Sequence, residues 1–143
     1  MSNIYIASTL TNAARVQDLR DKLTSLGIGL SYDWTLHGRV ADPDILIKIA
    51  ENQFRGIIAA SCILIVMPGK YGTFFEFGMA YALKKPIVVL LDQYDGPPEP
   101  NLSLNDVMYC KTEAEALQAV QTLKVHQPVR RHLIDILIEE ESE

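Results

Sequence analysis

The chain has little cysteine, little histidine and no excess of positive charge. Its 143 residues include two cysteines and three histidines, and 13 Lys and Arg stand against 18 Asp and Glu, for a net charge of −5. Such sparse Cys and His residues give no zinc-ligand spacing, so we expect no metal site. An acidic chain without a basic stripe also argues against duplex nucleic acid as a partner.

Long hydrophobic runs are missing as well. No apolar stretch approaches the roughly 20 residues that cross a bilayer, and the first residues lead into a strand pattern without a charged or apolar leader. We therefore expect a cytoplasmic protein with no membrane partner. In that compartment Cys62 and Cys110, each in or beside an apolar run, are expected to be reduced, buried and structural.

Strand and helix patterns alternate along most of the chain. The hydrophobic fraction is 48%, which over this length suffices for one domain with a full core. Alternation of this kind predicts an α/β protein in which helices cover both faces of a parallel sheet. We expect a flavodoxin-like three-layer sandwich with a five-stranded sheet of order 2-1-3-4-5. The predicted strands are 4–7, 28–32, 62–67, 87–91 and 107–110.

The first two helices have recognisable ends. Thr9 or Thr11 is expected to cap the first helix, and Gly27 is expected to end it. Asp42 and Pro43 have the residue types that open a helix, so the second should begin there. Its predicted apolar face consists of Ile45, Ile49, Phe54, Ile57 and Ile58.

The later helices are predicted from similar signals. The third should span 72–83, with Gly78 marking a close contact between helix and sheet, because glycine inside a helix otherwise costs about 1 kcal/mol. Thr112 should cap a fourth helix that runs to about residue 124. We assign 1–127 to the α/β domain and 128–143 to a C-terminal helix and acidic tail. Leu133, Ile136 and Leu137 form the apolar side of that last helix.

The turn between the third strand and the third helix is the most unusual stretch. A buried-type strand ends in a Pro-Gly pair, and a single carboxylate, Glu76, then lies among aromatic residues. Thr73 and Glu76 also fit a capping box, in which Glu76 would only bond back to the start of the helix. In the order 2-1-3-4-5 the loops after the first and third strands meet where ligands bind. We therefore expect a site between 7–9 and 68–73.

Several segments resemble the nucleoside 2-deoxyribosyltransferase-like family. Residues 5–8 (YIAS) are similar to its Y-[LI]-A-G first strand, and 72–80 (GTFFEFGMA) followed by 85–87 (KPI) are similar to its G-T-x-x-E-x-G-x-A and K-P-[VI] motifs. The resemblance covers 3–123. It implies cleavage or transfer at the N-glycosidic bond of a (deoxy)nucleoside or nucleoside 5′-monophosphate, without a cofactor. It also implies a homodimer or larger homo-oligomer.

The resemblance assigns Glu76 the role of nucleophile. The carboxylate would attack C1′ and form a glycosyl-enzyme, which an acceptor base or water then resolves. Two acids of the family are absent, since Lys70 occupies one position and Ser61 or Cys62 the other. Asp33, on an adjacent loop, is our candidate for a second catalytic group. The residues expected to contact substrate are Tyr5, Ala7, Ser8, Thr9, Trp34, Gly69, Lys70, Tyr71, Gly72, Thr73 and Asn105.

Each of these assignments has a plainer alternative. Lys70 beside a helix N-terminus suits a phosphate, but it is also an ordinary solvated lysine. Trp34 and Tyr5 could stack on a base or only pack in the core. His37 fits a surface loop as well as a catalytic role. Asn105 contributes to a neighbouring subunit's site only if the loop before it is placed as the family resemblance implies. The absent acids leave open a second function, a non-catalytic nucleotide-binding module that uses the same crevice.

Overall fold

The structure, a computed structural model, describes residues 2–95 and 107–125. It contains a five-stranded parallel sheet of order β2-β1-β3-β4-β5, which confirms the predicted flavodoxin-like α/β fold. The strands are β1 (Ser2–Ala7), β2 (Ile28–Leu30), β3 (Cys62–Val66), β4 (Ile87–Leu90) and β5 (Met108–Cys110). The helices are α1 (Ala13–Ser25), α2 (Pro43–Ala59), α3 (Tyr71–Ala82) and α4 (Glu113–Val125).

The two central strands explain why the sheet needs helices on both sides. Every residue of β3 and of β4 is buried, so both faces of these strands lie under other elements. On one side α1 and α4 are joined by the ion pair of Lys22 with Glu113. On the other side α2 meets α3, where the rings of Phe54 and Phe75 lie 5.8 Å apart. The apolar core fills the space between these layers and the sheet.

Most of the predicted helix ends are confirmed. The Asp42 carboxylate accepts a hydrogen bond from the Asp44 amide at 2.9 Å, and Pro43 is the first residue of α2. Thr112 accepts from the Glu115 amide at 3.2 Å at the start of α4. Gly27 has a φ of +77° just beyond α1, a conformation that glycine adopts without strain.

The cap predicted for α1 is wrong. A 3-10 turn, Leu10–Asn12, precedes the helix and moves its start to Ala13, so Asn12 occupies the capping position. The hydroxyls of Thr9 and Thr11 hydrogen-bond to each other at 2.6 Å instead of capping the helix.

The predicted apolar face of α2 is only partly correct. Ile57 is fully buried, but Ile45 and Ile58 are 47% and 55% exposed. The helix instead approaches the sheet through Gly56, where an added Cβ would lie 2.8 Å from the Tyr32 Cβ and 3.1 Å from the Tyr5 Cδ2. Because a spacing rule weights only large side chains, it did not identify the glycine as the contact point.

The interpretation of Gly78 is wrong. It is exposed, and a Cβ built there would meet no atom of another element within 4 Å among residues 2–95 and 107–125. The prediction that both cysteines are buried and form no disulfide is confirmed for Cys62 and Cys110. Burial raises the pKa of the Cys62 thiol to about 12, which leaves it inert as a nucleophile.

Some predictions fall on residues that the structure does not describe. These are the C-terminal helix and tail of 128–143, with its apolar residues, and the substrate contact of Asn105. Within the described ranges no helix has the length and apolar character needed to cross a membrane.

Candidate active site

A cavity of about 380 Å³ lies at the predicted position. The loops that follow β1 and β2, the first half of α2 and the start of α3 form its walls. This volume is within the range of small-molecule sites. In the described part of the chain no group of three His, Cys, Asp or Glu side chains is placed to hold a metal ion.

The carboxyl ends of β1 and β3 are tied together beside the cavity. The Ser8 hydroxyl donates to the Val66 carbonyl at 2.8 Å and accepts from the Asn12 amide group at 2.9 Å. That same Asn12 group donates to the Pro68 carbonyl at 3.2 Å. Ser8 therefore lines the cavity with a hydroxyl that already has two protein partners.

Glu76 is the only carboxylate among the described residues that line the cavity. It lies on the buried side of α3, and its side chain neighbours Tyr5 of β1, which is fully buried. Neither Glu76 Oε2 nor the Tyr5 hydroxyl has a hydrogen-bond partner in the described part of the chain. A buried carboxylate oxygen without a partner is costly in free energy, so its retention points to a use.

Burial controls the ionisation of both groups. It raises the pKa of Glu76 to about 7, and the nearby Tyr5 phenol reduces the size of that rise. Burial, with the Glu76 charge as a second cause, also raises the pKa of Tyr5. Near neutral pH, Glu76 is therefore shared between its acid and carboxylate forms while Tyr5 stays neutral.

The capping interpretation of Glu76 is wrong. Helix α3 starts at Tyr71, three residues earlier than a Thr73 cap requires, and Lys70 holds the capping position. The Thr73 hydroxyl instead accepts from the Lys70 amide at 3.3 Å. Gly69 permits this tight turn, because a Cβ there would come within 2.8 Å of the Thr73 side chain. Glu76 thus takes no part in capping α3 and lies one turn further along the helix.

The predicted substrate contacts divide into two groups. Seven predicted residues line the cavity: Ser8, Thr9, Trp34, Lys70, Gly72, Thr73 and Glu76. Tyr5, Ala7, Gly69 and Tyr71 do not, although Tyr5 lies behind Glu76 and Gly69 shapes the turn. Tyr71 is 95% exposed, so a place in the wall of this cavity is wrong for it.

Asp33, predicted as a second catalytic group, does not line the cavity. Its carboxylate accepts from Arg20 at 2.9 Å, from the Thr35 amide at 3.0 Å and from the Thr35 hydroxyl at 2.5 Å. Desolvation opposes these bonds, but they dominate and lower the pKa of Asp33. Asp33 therefore serves as the cap of the short 3-10 helix Trp34–Leu36.

Trp34 packs in the core and also lines the cavity, and stacking on a base stays a prediction. The indole is buried, donates to the Ile6 carbonyl at 2.7 Å and still lines the cavity. His37 also lines the cavity, with its ring 6.3 Å from that of Tyr32.

Sequence reasoning missed the opposite wall. Six further residues line the cavity from the loop after β2 and from α2: Gly38, Arg39, Val40, Leu46, Ile49 and Gln53. The one available signal was the polar and aromatic composition of 33–38, which is unusual for a connecting loop. Nothing in the α2 pattern distinguished the turn that faces the cavity from the turns that face solvent.

The matches to known proteins agree with this geometry. A family model described as nucleoside 2-deoxyribosyltransferase matches residues 4–105. The chain belongs to this family. The match spans both strand ends at the cavity, and the family supports glycosyl transfer or cleavage as the activity. No curated protein matches the chain.

Two solved structures share the fold. A Clostridium botulinum CMP N-glycosidase has 22% identity and a TM-score of 0.56, with 84% of this chain and 99% of that chain covered. A Leishmania mexicana 2-deoxyribosyltransferase has 15% identity and a TM-score of 0.52, with 88% and 99% covered. The family and both structures are those of enzymes.

Proposed function

We propose that this protein cleaves or transfers at the N-glycosidic bond of a nucleoside 5′-monophosphate, with Glu76 as nucleophile. The observation that carries the proposal is the buried Glu76, which lines a cavity of about 380 Å³ and whose Oε2 has no hydrogen-bond partner in the described part of the chain. Attack of this carboxylate on C1′ expels the base and leaves a glycosyl ester on the enzyme. Water or a second base then attacks C1′ and regenerates Glu76.

The start of α3 supports a phosphate group on the substrate. Thr73 accepts from the amide of Lys70 only, and the Lys70 side chain at the capping position has no acceptor atom, so the next amides of the helix are available to an anion. Gly72 and Thr73 present this end to the cavity, and Lys70 beside them is exposed with no ion pair in the described ranges. Arg39 on the facing loop adds a second cation to the wall. A dianion between these groups would gain charge-assisted hydrogen bonds.

Other residues of the cavity lining suit a base. Val40, Leu46 and Ile49 give an apolar wall, and the Trp34 indole supplies an aromatic surface. Gln53 offers an amide that can both donate and accept at the edge of a ring. An apolar slot with one adaptable polar group is typical of sites that hold planar ligands.

The test is release of free base, measured by chromatography after incubation with nucleosides, 2′-deoxynucleosides and their 5′-monophosphates. We expect base from a monophosphate with the wild type and at least about 10³-fold less with Glu76→Gln. An added acceptor base distinguishes transfer from hydrolysis, because only transfer yields a new nucleotide.

The matched control is Glu51→Gln, which removes an exposed carboxylate on α2 outside the cavity. It should retain wild-type turnover. Full activity in Glu76→Gln would overturn the nucleophile assignment, whereas a fall in both variants would indicate a general charge effect.

A second function, a nucleotide-binding module without turnover, is favoured by one observation. Asp33 is bonded elsewhere, so the cavity has no second carboxylate among the described residues. Tight binding of a monophosphate with no base released from any substrate would support this alternative over the first.

A further inference from the structure

Departure of a base requires a proton as well as a nucleophile. When the bond from C1′ to the base breaks, the electron pair goes to the base, and a proton delivered there makes it a better leaving group. Glu76 cannot deliver that proton while it attacks as a carboxylate. A second group that can give and take a proton is therefore needed in the same cavity, and Asp33 does not line it.

Three other titratable side chains line the cavity within the described ranges: His37, Arg39 and Lys70. Arginine does not give up its proton in proteins, and an exposed lysine side chain stays protonated near neutral pH. Histidine is the side chain that most readily exchanges a proton in this range. The composition of the cavity wall thus leaves His37 for this role.

The surroundings of His37 fit a group that is held in place but not bonded. Its ring lies against Tyr32 at a tilt of 35°, which fixes one side of the imidazole. Both ring nitrogens are buried, and neither has a hydrogen-bond partner in the described part of the chain. A half turn of the ring about the bond from Cβ to Cγ places each nitrogen where a ring carbon now lies. Because neither nitrogen has a partner among the described residues, this turn breaks no hydrogen bond there.

We propose that His37 is the general acid that protonates the departing base. This rests on the proposed N-glycosidic activity. In the first step the Glu76 carboxylate forms a bond to C1′, the bond from C1′ to the base breaks, and a protonated His37 gives its N–H proton to the base. In the second step water attacks C1′, Glu76 leaves as a carboxylate, and His37 takes the proton from the water. The sum is one nucleotide and one water converted to free base and sugar phosphate.

The test compares substrates that differ in how much their base needs a proton. If the wild type releases a purine, the activated substrate carries N7-methylguanine, which leaves as a neutral base without protonation. If it releases a pyrimidine, the activated substrate carries a 5-nitro group that withdraws electrons from the ring. We expect His37→Gln to slow release of the ordinary base by about 10²-fold or more and to leave the activated base nearly unaffected. Glu76→Gln should lose release of both the ordinary and the activated base.

The control is Leu36→Gln, which changes the neighbouring residue, 75% exposed, on the same loop. It should match the wild type on both substrates. Equal loss of both substrates in His37→Gln would indicate positioning and overturn the general-acid role, and unchanged release of both would overturn it too. Either result leaves the N-glycosidic proposal intact, whereas a wild type that releases no base overturns both proposals.

Discussion

Glu76 and Asp33 carry the same chemical group in opposite surroundings. Asp33 receives three hydrogen bonds, from Arg20 and Thr35, and its pKa is lowered. Glu76 is buried with one oxygen unpartnered, and its pKa is raised to about 7. The satisfied carboxylate holds a loop in place, and the unsatisfied one belongs to a residue that lines the cavity. The comparison shows that the Asp33 carboxylate stabilises the folded protein, whereas the ionised Glu76 carboxylate lowers its stability.

Activity should separate the two carboxylates most strongly. Glu76→Gln is expected to lower base release by at least about 10³-fold, because the nucleophile is lost. Asp33→Asn should lower it less than about tenfold, since the Thr35 contacts can survive and Asp33 does not touch the cavity. Steady-state kinetics on one nucleotide measures both, and a loss in Asp33→Asn as large as in Glu76→Gln would contradict the contrast.

The pH dependence of the rate should report the raised pKa. With an activated base, whose release needs no proton from His37, only the ionisation of Glu76 limits the attack, so kcat/KM should fall about tenfold per pH unit below a midpoint near pH 7. By pH 5 the loss approaches a hundredfold, on the same reasoning. A rate that stays constant down to pH 5 would show that Glu76 ionises like an ordinary glutamate.

Stability should change in opposite directions in the two variants. The folded-state pKa of Glu76 is raised from 4.5 to about 7, so its ionised form costs stability, increasingly as pH rises through this window. Glu76→Gln should therefore be more stable than wild type by about 3 kcal/mol at pH 8 and by less than about 1 kcal/mol at pH 5. Urea unfolding at the two pH values measures this difference.

Ionisation of Asp33 has the opposite effect on stability from ionisation of Glu76. The pKa of Asp33 is lowered from 3.8, so its stabilising effect is present above that value and is lost as pH falls through the folded-state pKa. Asp33→Asn should cost about 1 kcal/mol at pH 8, because the partly buried contact with Arg20 is removed. If Glu76→Gln proved the less stable variant at pH 8, the carboxylate would be structural after all.

Gly56 tests the packing that keeps Tyr5 beside Glu76. In Gly56→Ala the new methyl group would meet Tyr32 and Tyr5 at 2.8 and 3.1 Å. Overpacking should outweigh the gain in helix propensity and cost about 1–2 kcal/mol. Thermal unfolding measures it, and an unchanged Tm would mean that the two tyrosines can move aside.

Substitution of Gly78 should have the smallest effect on stability. It should stabilise the protein, whereas substitution of Gly56 should destabilise it. Gly78 lies in α3, and no atom of another element in the described part of the chain comes within 4 Å of the position that a methyl group would occupy there, so Gly78→Ala meets no clash there. Helix propensity alone should then stabilise the protein by about 0.5–1 kcal/mol. A decrease in Tm would show that this surface is covered in solution.

The sequence predicted what depends on neighbouring residues. Alternating patterns indicated the strand order, and the strand-to-helix turn near Glu76 indicated the location of the cavity. Asp42 and Thr112 were correct as caps because their bonds join residues two or three apart. The cap at Thr9 or Thr11 was wrong because a 3-10 turn intervened, which no propensity distinguishes from the first turn of a helix.

Features that depend on distant residues were not predictable from the sequence. Gly56 and Gly78 have the same intrinsic preference, yet only Gly56 meets another element. Asp33 was proposed for catalysis because its loop adjoins the site, but Arg20 of α1, 13 positions away, accounts for its charge. His37 was left open for the same reason, since the absence of partners around a side chain is known only once the fold is known.

Trp34 has one more consequence. It is the only tryptophan in the chain, its indole N–H is bonded to the Ile6 carbonyl, and its ring lines the cavity. The intrinsic tryptophan fluorescence of the whole protein therefore originates at this one place. A change in emission on adding a nucleotide would follow occupancy of the cavity in real time, in unlabelled protein and in variants that no longer turn over.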